Sequence, residues 1–167
     1  MPNCSYSDLD FSKLSTEKKM IPVDIDGTVA DCTHRMHYVL ETEKNWDAFF
    51  GSVAGDKPLK QMIRLVKSLF KAGELEVVFV TGRPEKTRAD TLRWLNVVFQ
   101  PIEIESWRLF MRKDGDHSPD FILKRQILGA MRKAQLQPRI AIEDRKRVVD
   151  MYRAANIICL QCAAGDF

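Results

Sequence analysis

The chain has 167 residues, 45% hydrophobic and 29% charged, which suits one globular domain burying roughly 70% of its unfolded surface and leaves no room for a second catalytic domain. Lys+Arg number 26 against 23 Asp+Glu, a net charge of +3, but residues 1–57 sum to −4 and residues 58–167 to +7, a basic body suited to an anionic substrate. There is no apolar run of about 18 residues, no leader pattern and no G-x-x-x-x-G-K-[ST] phosphate loop, so a membrane protein and a P-loop kinase are excluded and a cytoplasmic location is expected.

Residues 1–19 lack clean periodicity and are expected to form a surface arm. Residues 20–23, Met-Ile-Pro-Val, read as a short buried strand, although Pro22 costs a ladder hydrogen bond unless the strand starts there. Residues 31–57 gather His34, Arg35, His37, Tyr38, Trp46, Phe49 and Phe50 and read as a small helical cap inserted over a site. Those aromatics serve either a local apolar core or substrate stacking. Asp56 can cap a helix with Pro58 in its first turn; Leu59, Met62, Ile63, Val66, Leu69 and Phe70 mark one face, and Gly73 ends it. Residues 77–80, Val-Val-Phe-Val, form a buried parallel strand, and a helix with Leu92, Leu95 and Val98 inward follows Pro84. A helix over 119–134, a strand at 140–142, a helix over 146–155 and a last strand at 156–161 complete the chain. Alternating strands and helices predict an α/β, three-layer Rossmann-like domain with a parallel sheet of about five strands, strand one lying between the strands ending at Thr81 and Glu143. Ligands in such sheets bind beyond the carboxyl ends of the strands.

The chemistry-bearing residues fall at those ends. Asp24-Ile25-Asp26-Gly27-Thr28 puts two carboxylates one residue apart where strand one becomes a loop, and Gly27 permits the tight turn that lets both face one volume. Two such charges repel by about 4 kcal/mol at 4 Å in an effective dielectric of 20, so the site demands a proton or a cation. The second strand ends in Thr81-Gly82-Arg83-Pro84 and the third in Glu143-Asp144-Arg145. Between them Asp120 and Lys124, spaced i, i+4, share one helix face. Cys159-Leu160-Gln161-Cys162 has C-x-x-C spacing, but residues three apart on a strand point to opposite faces, which argues against a zinc pair.

This ordered set resembles the haloacid dehalogenase superfamily of phosphatases over residues 20–150. Ala141-Ile142-Glu143-Asp144-Arg145, Val148-Val149-Asp150-Met151-Tyr152-Arg153, Gln161-Cys162-Ala163-Ala164-Gly165-Asp166-Phe167 and the stretch from Met111-Arg112 to Lys124 are similar to the 3′-phosphatase domain of bacteriophage polynucleotide kinase-phosphatases. Ser118 stands where that family often carries Arg. The resemblance implies Asp24 as nucleophile, Asp26 as general acid and base, and Thr81 and Lys124 as holders of the phosphoryl oxygens. It further implies Mg²⁺ held by Asp24, Asp144 and the main-chain carbonyl of Asp26, with Glu143 orienting the metal shell. Thr28, Gly82, Arg83 and Arg112 are the candidate substrate contacts, Arg83 and Arg112 being equally compatible with surface charge. The expected substrate is a 3′-phosphorylated DNA or RNA end; a phosphatase of free nucleotides or other small phosphomonoesters needs the same catalytic set, and a non-catalytic binding module is a third reading.

Overall fold

Apolar runs whose side chains alternate between two covered faces make the sheet. The computed structural model describes residues 5–40 and 42–165. Its strands are β1 (Lys19–Val23), β2 (Ala30–Asp31), β3 (Lys57–Pro58), β4 (Leu75–Pro84), β5 (Leu109–Arg112), β6 (Gln137–Pro138), β7 (Ile140–Arg145) and β8 (Ile158–Gly165). Its α-helices are α1 (His37–Leu40), α2 (Trp46–Gly51), α3 (Lys60–Ala72), α4 (Arg88–Phe99), α5 (Asp120–Lys133) and α6 (Lys146–Ala154). The main sheet runs β5-β4-β1-β7-β8 with every pairing parallel, so β1 lies between β4 and β7 as the sequence predicts.

Strand periodicity assigns the layers. Ile21, Val23, Val77 and Phe79 pack on Ile63 and Val66 of α3 and on Trp94, Leu95 and Phe99 of α4. Met20, Val78 and Val80 point the other way, onto Leu123, Ile127 and Met131 of α5. Val148, Val149 and Tyr152 of α6 cover Ala141 and Cys159 on β7 and β8. Each fully buried Val, Leu or Phe contributes roughly 1.5–3 kcal/mol relative to exposure, and both faces of the sheet are covered in this way. Among the described residues, no helix is long and apolar enough to cross a membrane.

Pro22 is accommodated by a break in its neighbour. Arg139 N–H donates to Met20 O and Asp24 N–H to Ile142 O, so the Pro22 nitrogen faces the same side of β1. On that side β1 pairs with β6 at Lys19 and Met20 and with β7 at Val23, and Pro22 falls in the gap between them. Its other neighbour, Val78, is met in regular register.

Three expectations are corrected. The arm is not a surface segment throughout: Tyr6 and Leu14 are buried in the α5-side core, because that layer has an apolar cleft which α5 alone does not fill; residues 1–4 lie outside the described ones. Asp56 does not cap a helix: α3 starts at Lys60 behind Leu59, and the Asp56 carboxylate turns inward to two arginines. The last strand begins at Ile158, after Asn156 turns at φ 59, and runs on to Gly165 because β7 itself continues to Arg145 and offers it a partner. Gly73 ends α3 in the left-handed conformation, φ 70, as expected of a helix-terminating glycine.

Residues 31–57 fold as short helical turns and α1 and α2, closed by the antiparallel β2–β3 pair, Ala30 opposite Pro58 and Asp31 opposite Lys57.

Candidate active site

The carboxyl ends of β1, β4 and β7 bring the predicted acids together. Asp24 N–H donates to Ile142 O at 3.0 Å, one ladder bond beyond the end of β1, which fixes Asp24 beside Glu143. Gly27 turns the chain at φ +81, and a Cβ there would lie 2.1 Å from Asp144 Oδ2, so both backbone conformation and close approach require glycine. From the opposite layer α5 delivers Lys124, whose Nζ lies 2.5 Å from Asp24 Oδ1 and 2.6 Å from Glu143 Oε1. The i, i+4 neighbour Asp120 is not its hydrogen-bond partner; that carboxylate receives Arg112 and Arg145 instead.

Lys124 is outnumbered. Asp24, Glu143 and Asp144 each place an oxygen within 4.8 Å of the others, all three are buried, and Glu143 Oε2 accepts Asp144 N–H at 2.9 Å. Burial raises Asp24 to about 7, Glu143 adding to the rise and Lys124 opposing it; burial likewise raises Glu143 to about 7 and Asp144 to about 6. Burial alone would lower Lys124, but the Asp24 and Glu143 carboxylates hold it well above its ordinary value. Among the described residues, Asp144 Oδ1 is buried without a hydrogen-bond partner, and a buried carboxylate oxygen so placed beside two other carboxylates is the donor set of a hard divalent cation. The residues present therefore fit Mg²⁺.

A pH dependence of stability follows. These three carboxyls ionise near pH 4 in the unfolded chain but near 6 to 7 in the metal-free fold, so their contribution is fully present below about pH 4 and is lost as the pH rises toward 7. Metal-free protein should melt at progressively lower temperature across that interval. Added Mg²⁺ should recover more at pH 7 than at pH 5. Calorimetric scans of chelator-treated protein check this, and a melting temperature that rises with pH over the interval would contradict the arrangement.

Asp26 sits in the opposite field. Burial would raise its carboxyl, but the Arg83 and Arg35 guanidinium groups hold it down at about 2. Arg35 Nη2 and Arg83 Nη2 each lie 2.6 Å from Asp26 Oδ1. Both arginines are fully buried and share a second carboxylate, Asp56: Arg35 Nε to Oδ1 at 2.7 Å, Arg83 Nη2 to Oδ2 at 2.5 Å. Asp56 is held in turn by His34 Nε2 at 2.9 Å, and its carbonyl accepts Trp94 Nε1–H at 2.7 Å. Arg35 also lies over the Phe49 ring, 4.2 Å from its centroid.

A cleft of about 410 Å³ opens above this floor. Asp24, Asp26 and Lys124 lie at its base; Trp46, Phe49 and Phe50 of α2 form one wall; Arg112 and the segment from Lys113 to Pro119 form the other. Phe49 is buried beneath, whereas Trp46 is half-exposed and stacks on Phe50, so the cap aromatics serve a local core and present a ring to the cleft at once. Of the four candidate substrate contacts, Gly82 and Arg112 line the cleft. Thr28 and Arg83 do not: Thr28 is fully buried, its hydroxyl oxygen 3.6 Å from Cys162 Sγ, and Arg83 is a partner of Asp26 rather than an exposed cation. Thr81 is fully buried at the strand end, its Oγ1 accepting Arg83 N–H at 3.2 Å, which leaves its hydroxyl proton for another acceptor.

Arg35, Asp56 and Arg145 were missed as site residues. Asp56 mimics a helix cap, and Arg35 stands among aromatics in a segment without periodicity. The signal that could have found them is charge arithmetic: an isolated Asp26 and Asp56 near one buried Arg would leave unpaired charge, which calls for a second cation.

The model of the polynucleotide kinase PNKP phosphatase domain matches residues 18–167. A protein of Autographa californica nuclear polyhedrosis virus, named for polynucleotide kinase and RNA ligase, is 30% identical over 134 residues, covering 80% of this chain and 18% of that protein. Among solved structures, a chain of the Pnkp1/Rnl/Hen1 RNA repair complex superposes with a TM-score of 0.72 at 24% identity, over 96% of this chain and 47% of that one. A class C acid phosphatase from Bacillus anthracis with tungstate bound gives 0.58 at 18% identity, over 83% and 60%. The chain thus spans under a fifth of the viral relative and about half of the repair-complex chain. With the matched residues running from β1 to beyond β8, the chain belongs to the PNKP phosphatase domain family within the haloacid dehalogenase superfamily of phosphatases.

Proposed function

We propose that this phosphatase removes 3′-phosphates from nucleic-acid ends through an aspartyl-phosphate on Asp24. The observation that carries it is the pairing, at the base of one cleft, of a buried Asp24 held by Lys124 with an Asp26 ionised between two arginines. Asp24 attacks phosphorus, the bond to the leaving 3′-oxygen breaks, and Asp26 protonates that oxygen; Asp26 then takes a proton from the water that releases phosphate. Asp26 starts ionised, ready for the second role; for the first it takes up a proton from solvent as substrate binds, which the incoming phosphoryl charge favours by raising its proton affinity, and passes that proton to the leaving oxygen. Lys124 and Thr81 donate to the phosphoryl oxygens as charge develops there. Asp24, Asp144 and the Asp26 carbonyl would hold Mg²⁺, with Glu143 orienting Asp144, and the bound ion would neutralise charge on the transferred group.

Activity should vanish on exhaustive chelation and return with Mg²⁺. Asp144→Asn should raise the Mg²⁺ concentration for half-maximal activity more than Glu143→Gln does, since Glu143 already spends one oxygen on Lys124 and the other on Asp144 N–H. The opposite ranking in a Mg²⁺ titration would exchange their roles.

The aromatic wall supports a polynucleotide substrate, while the cleft volume also suits a nucleotide, which keeps a free-nucleotide phosphatase as the second reading. Hydrolysis of a 3′-phosphorylated oligonucleotide and a 3′-mononucleotide over a range of salt tests between them. Neutralising Z backbone phosphates gives a slope of about −0.7Z in log affinity against log salt, so oligonucleotide KM should climb steeply with salt and mononucleotide KM should not. Equal efficiency and equal shallow slopes would transfer the assignment to free nucleotides.

A further inference from the structure

The family match begins at residue 18, yet a side chain well before it reaches the cleft wall. Tyr6 is 2% exposed, its ring packed in the core with Leu14, Val80, Phe110 and Leu123. Its hydroxyl makes two hydrogen bonds across more than 100 residues of chain: it donates to Asp116 Oδ2 at 2.7 Å and accepts Lys113 N–H at 3.0 Å. The same short segment is held again by Lys113 Nζ on Ser5 O, 2.6 Å, and on Asp8 Oδ1, 2.5 Å.

What these bonds fix is the wall that carries Arg112. Asp116 Oδ1 accepts Ser118 N–H at 2.8 Å, folding the loop back on itself. The loop carbonyls of Ser118 and Asp116 accept Arg112 Nη1 at 2.7 and 3.3 Å, and Gly82 O accepts its Nε at 2.9 Å. The guanidinium is thus aimed by Asp120 of α5 together with a loop that β5 and α5 hold at its ends and whose Asp114 Oδ1 accepts Lys86 N–H at 3.0 Å, with Gly115 at φ +80 at its tip. A run from Lys113 to Pro119 without helix or strand of its own is the kind of segment that opens locally at low cost unless something ties it down. Tyr6 and Asp116 together are one such tie, beside the bond from Lys86 N–H to Asp114.

We infer that Tyr6 is a positioning residue: the segment 5–17 is part of the substrate-binding apparatus, and through Asp116 and Lys113 it holds the Arg112 wall in place for the nucleoside part of the substrate. The transferred phosphoryl group, served by Asp24 and Thr81 at the carboxyl ends of β1 and β4 and by Lys124 of α5, does not depend on it. The inference rests on the proposed nucleic-acid or nucleotide substrate, but not on which of the two is correct.

Tyr6→Phe tests it in the 167-residue chain, because the ring stays in the core and only the hydroxyl is lost. The variant and the parent are assayed on a 3′-phosphorylated oligonucleotide, a 3′-mononucleotide and a small aryl phosphate. KM for the nucleoside-bearing substrates should rise about five- to tenfold, the scale of one ordinary hydrogen bond lost, with kcat and all aryl phosphate constants unchanged. Asp116→Asn should act similarly, and Tyr6→Phe/Asp116→Asn should be little worse than either alone, since both cut one connection. Unchanged KM for both nucleoside substrates overturns the inference, as does an equal fall of kcat on all three substrates, which is what loss of folded protein produces. If the parent enzyme treats oligonucleotide and mononucleotide alike, the end-processing assignment fails, and the comparison of mononucleotide with aryl phosphate still decides the role of Tyr6.

Discussion

Asp24→Asn should lower turnover by at least about 10⁴-fold while leaving the fold intact. The carboxylate is the attacking group, and no other residue at the base of the cleft can replace it: Asp26 is bonded to two arginines, and Glu143 and Asp144 are turned toward Lys124 and each other. The fold should tolerate the change because Asp24 sits beyond the end of β1, where its backbone bond to Ile142 O is independent of the side chain. Burial already presses Asp24 toward its neutral form, to about 7, so a neutral isostere relieves repulsion from Glu143 and Asp144. Metal-free Asp24→Asn protein should melt at the same temperature as the parent or higher. Retained turnover in a well-folded variant would exclude covalent catalysis at this residue.

Arg83→Ala should damage both stability and chemistry. The guanidinium is fully buried and joins Asp26 to Asp56, with Nη1 3.4 Å from Thr91 Oγ1. Removing it leaves two buried carboxylates to share Arg35, and an uncompensated buried charge costs about 3–5 kcal/mol. The Asp26 carboxyl should move up from about 2 once its first-ranked cation is gone, and the ring of charges that sets its direction opens. The expected result is a melting temperature lowered by several degrees together with a fall in kcat that is the same for an aryl phosphate and for an oligonucleotide. Arg83→Lys should recover part of the stability and little of the rate, because an ammonium cannot reproduce the fork that serves both carboxylates. A selective loss on oligonucleotide with unaltered stability would instead make Arg83 a substrate contact.

The contrast between these two residues marks what the sequence can and cannot carry. Asp24 was legible because its neighbours on the chain, an apolar strand before and Asp26-Gly27 after, belong to the same local turn. Lys124 was legible because a helix places it at a known angle and the sheet order then aims it at the strand ends. Arg83 follows an equally readable strand, yet its partners, Asp56 and Arg35, come from a segment whose short turns have no period to read. A cation next to a strand end was as compatible with a substrate contact as with surface charge, and nothing local signalled that its guanidinium is buried between Asp26 and Asp56. Asp56 failed for a similar reason: Asp followed by Pro mimics a helix start, and only the three-dimensional approach of two guanidiniums makes its carboxylate more valuable inside. Tyr6 was the least legible, since its two hydroxyl partners lie more than 100 residues away along the chain. The layers themselves were read well because strand alternation and helix faces are local properties that tertiary contacts here reinforce.

The central claim is that phosphate leaves its substrate by way of Asp24. Asp26→Asn slows the release step and should let the intermediate accumulate. The variant is mixed with an oligonucleotide bearing a labelled 3′-phosphate, quenched in acid within the first turnover, cleaved with protease and analysed by mass spectrometry. One labelled peptide, containing Asp24, is expected, in an amount approaching one phosphate per chain. Label on any other residue, or free labelled phosphate formed at the parent rate with none bound to protein, would contradict it.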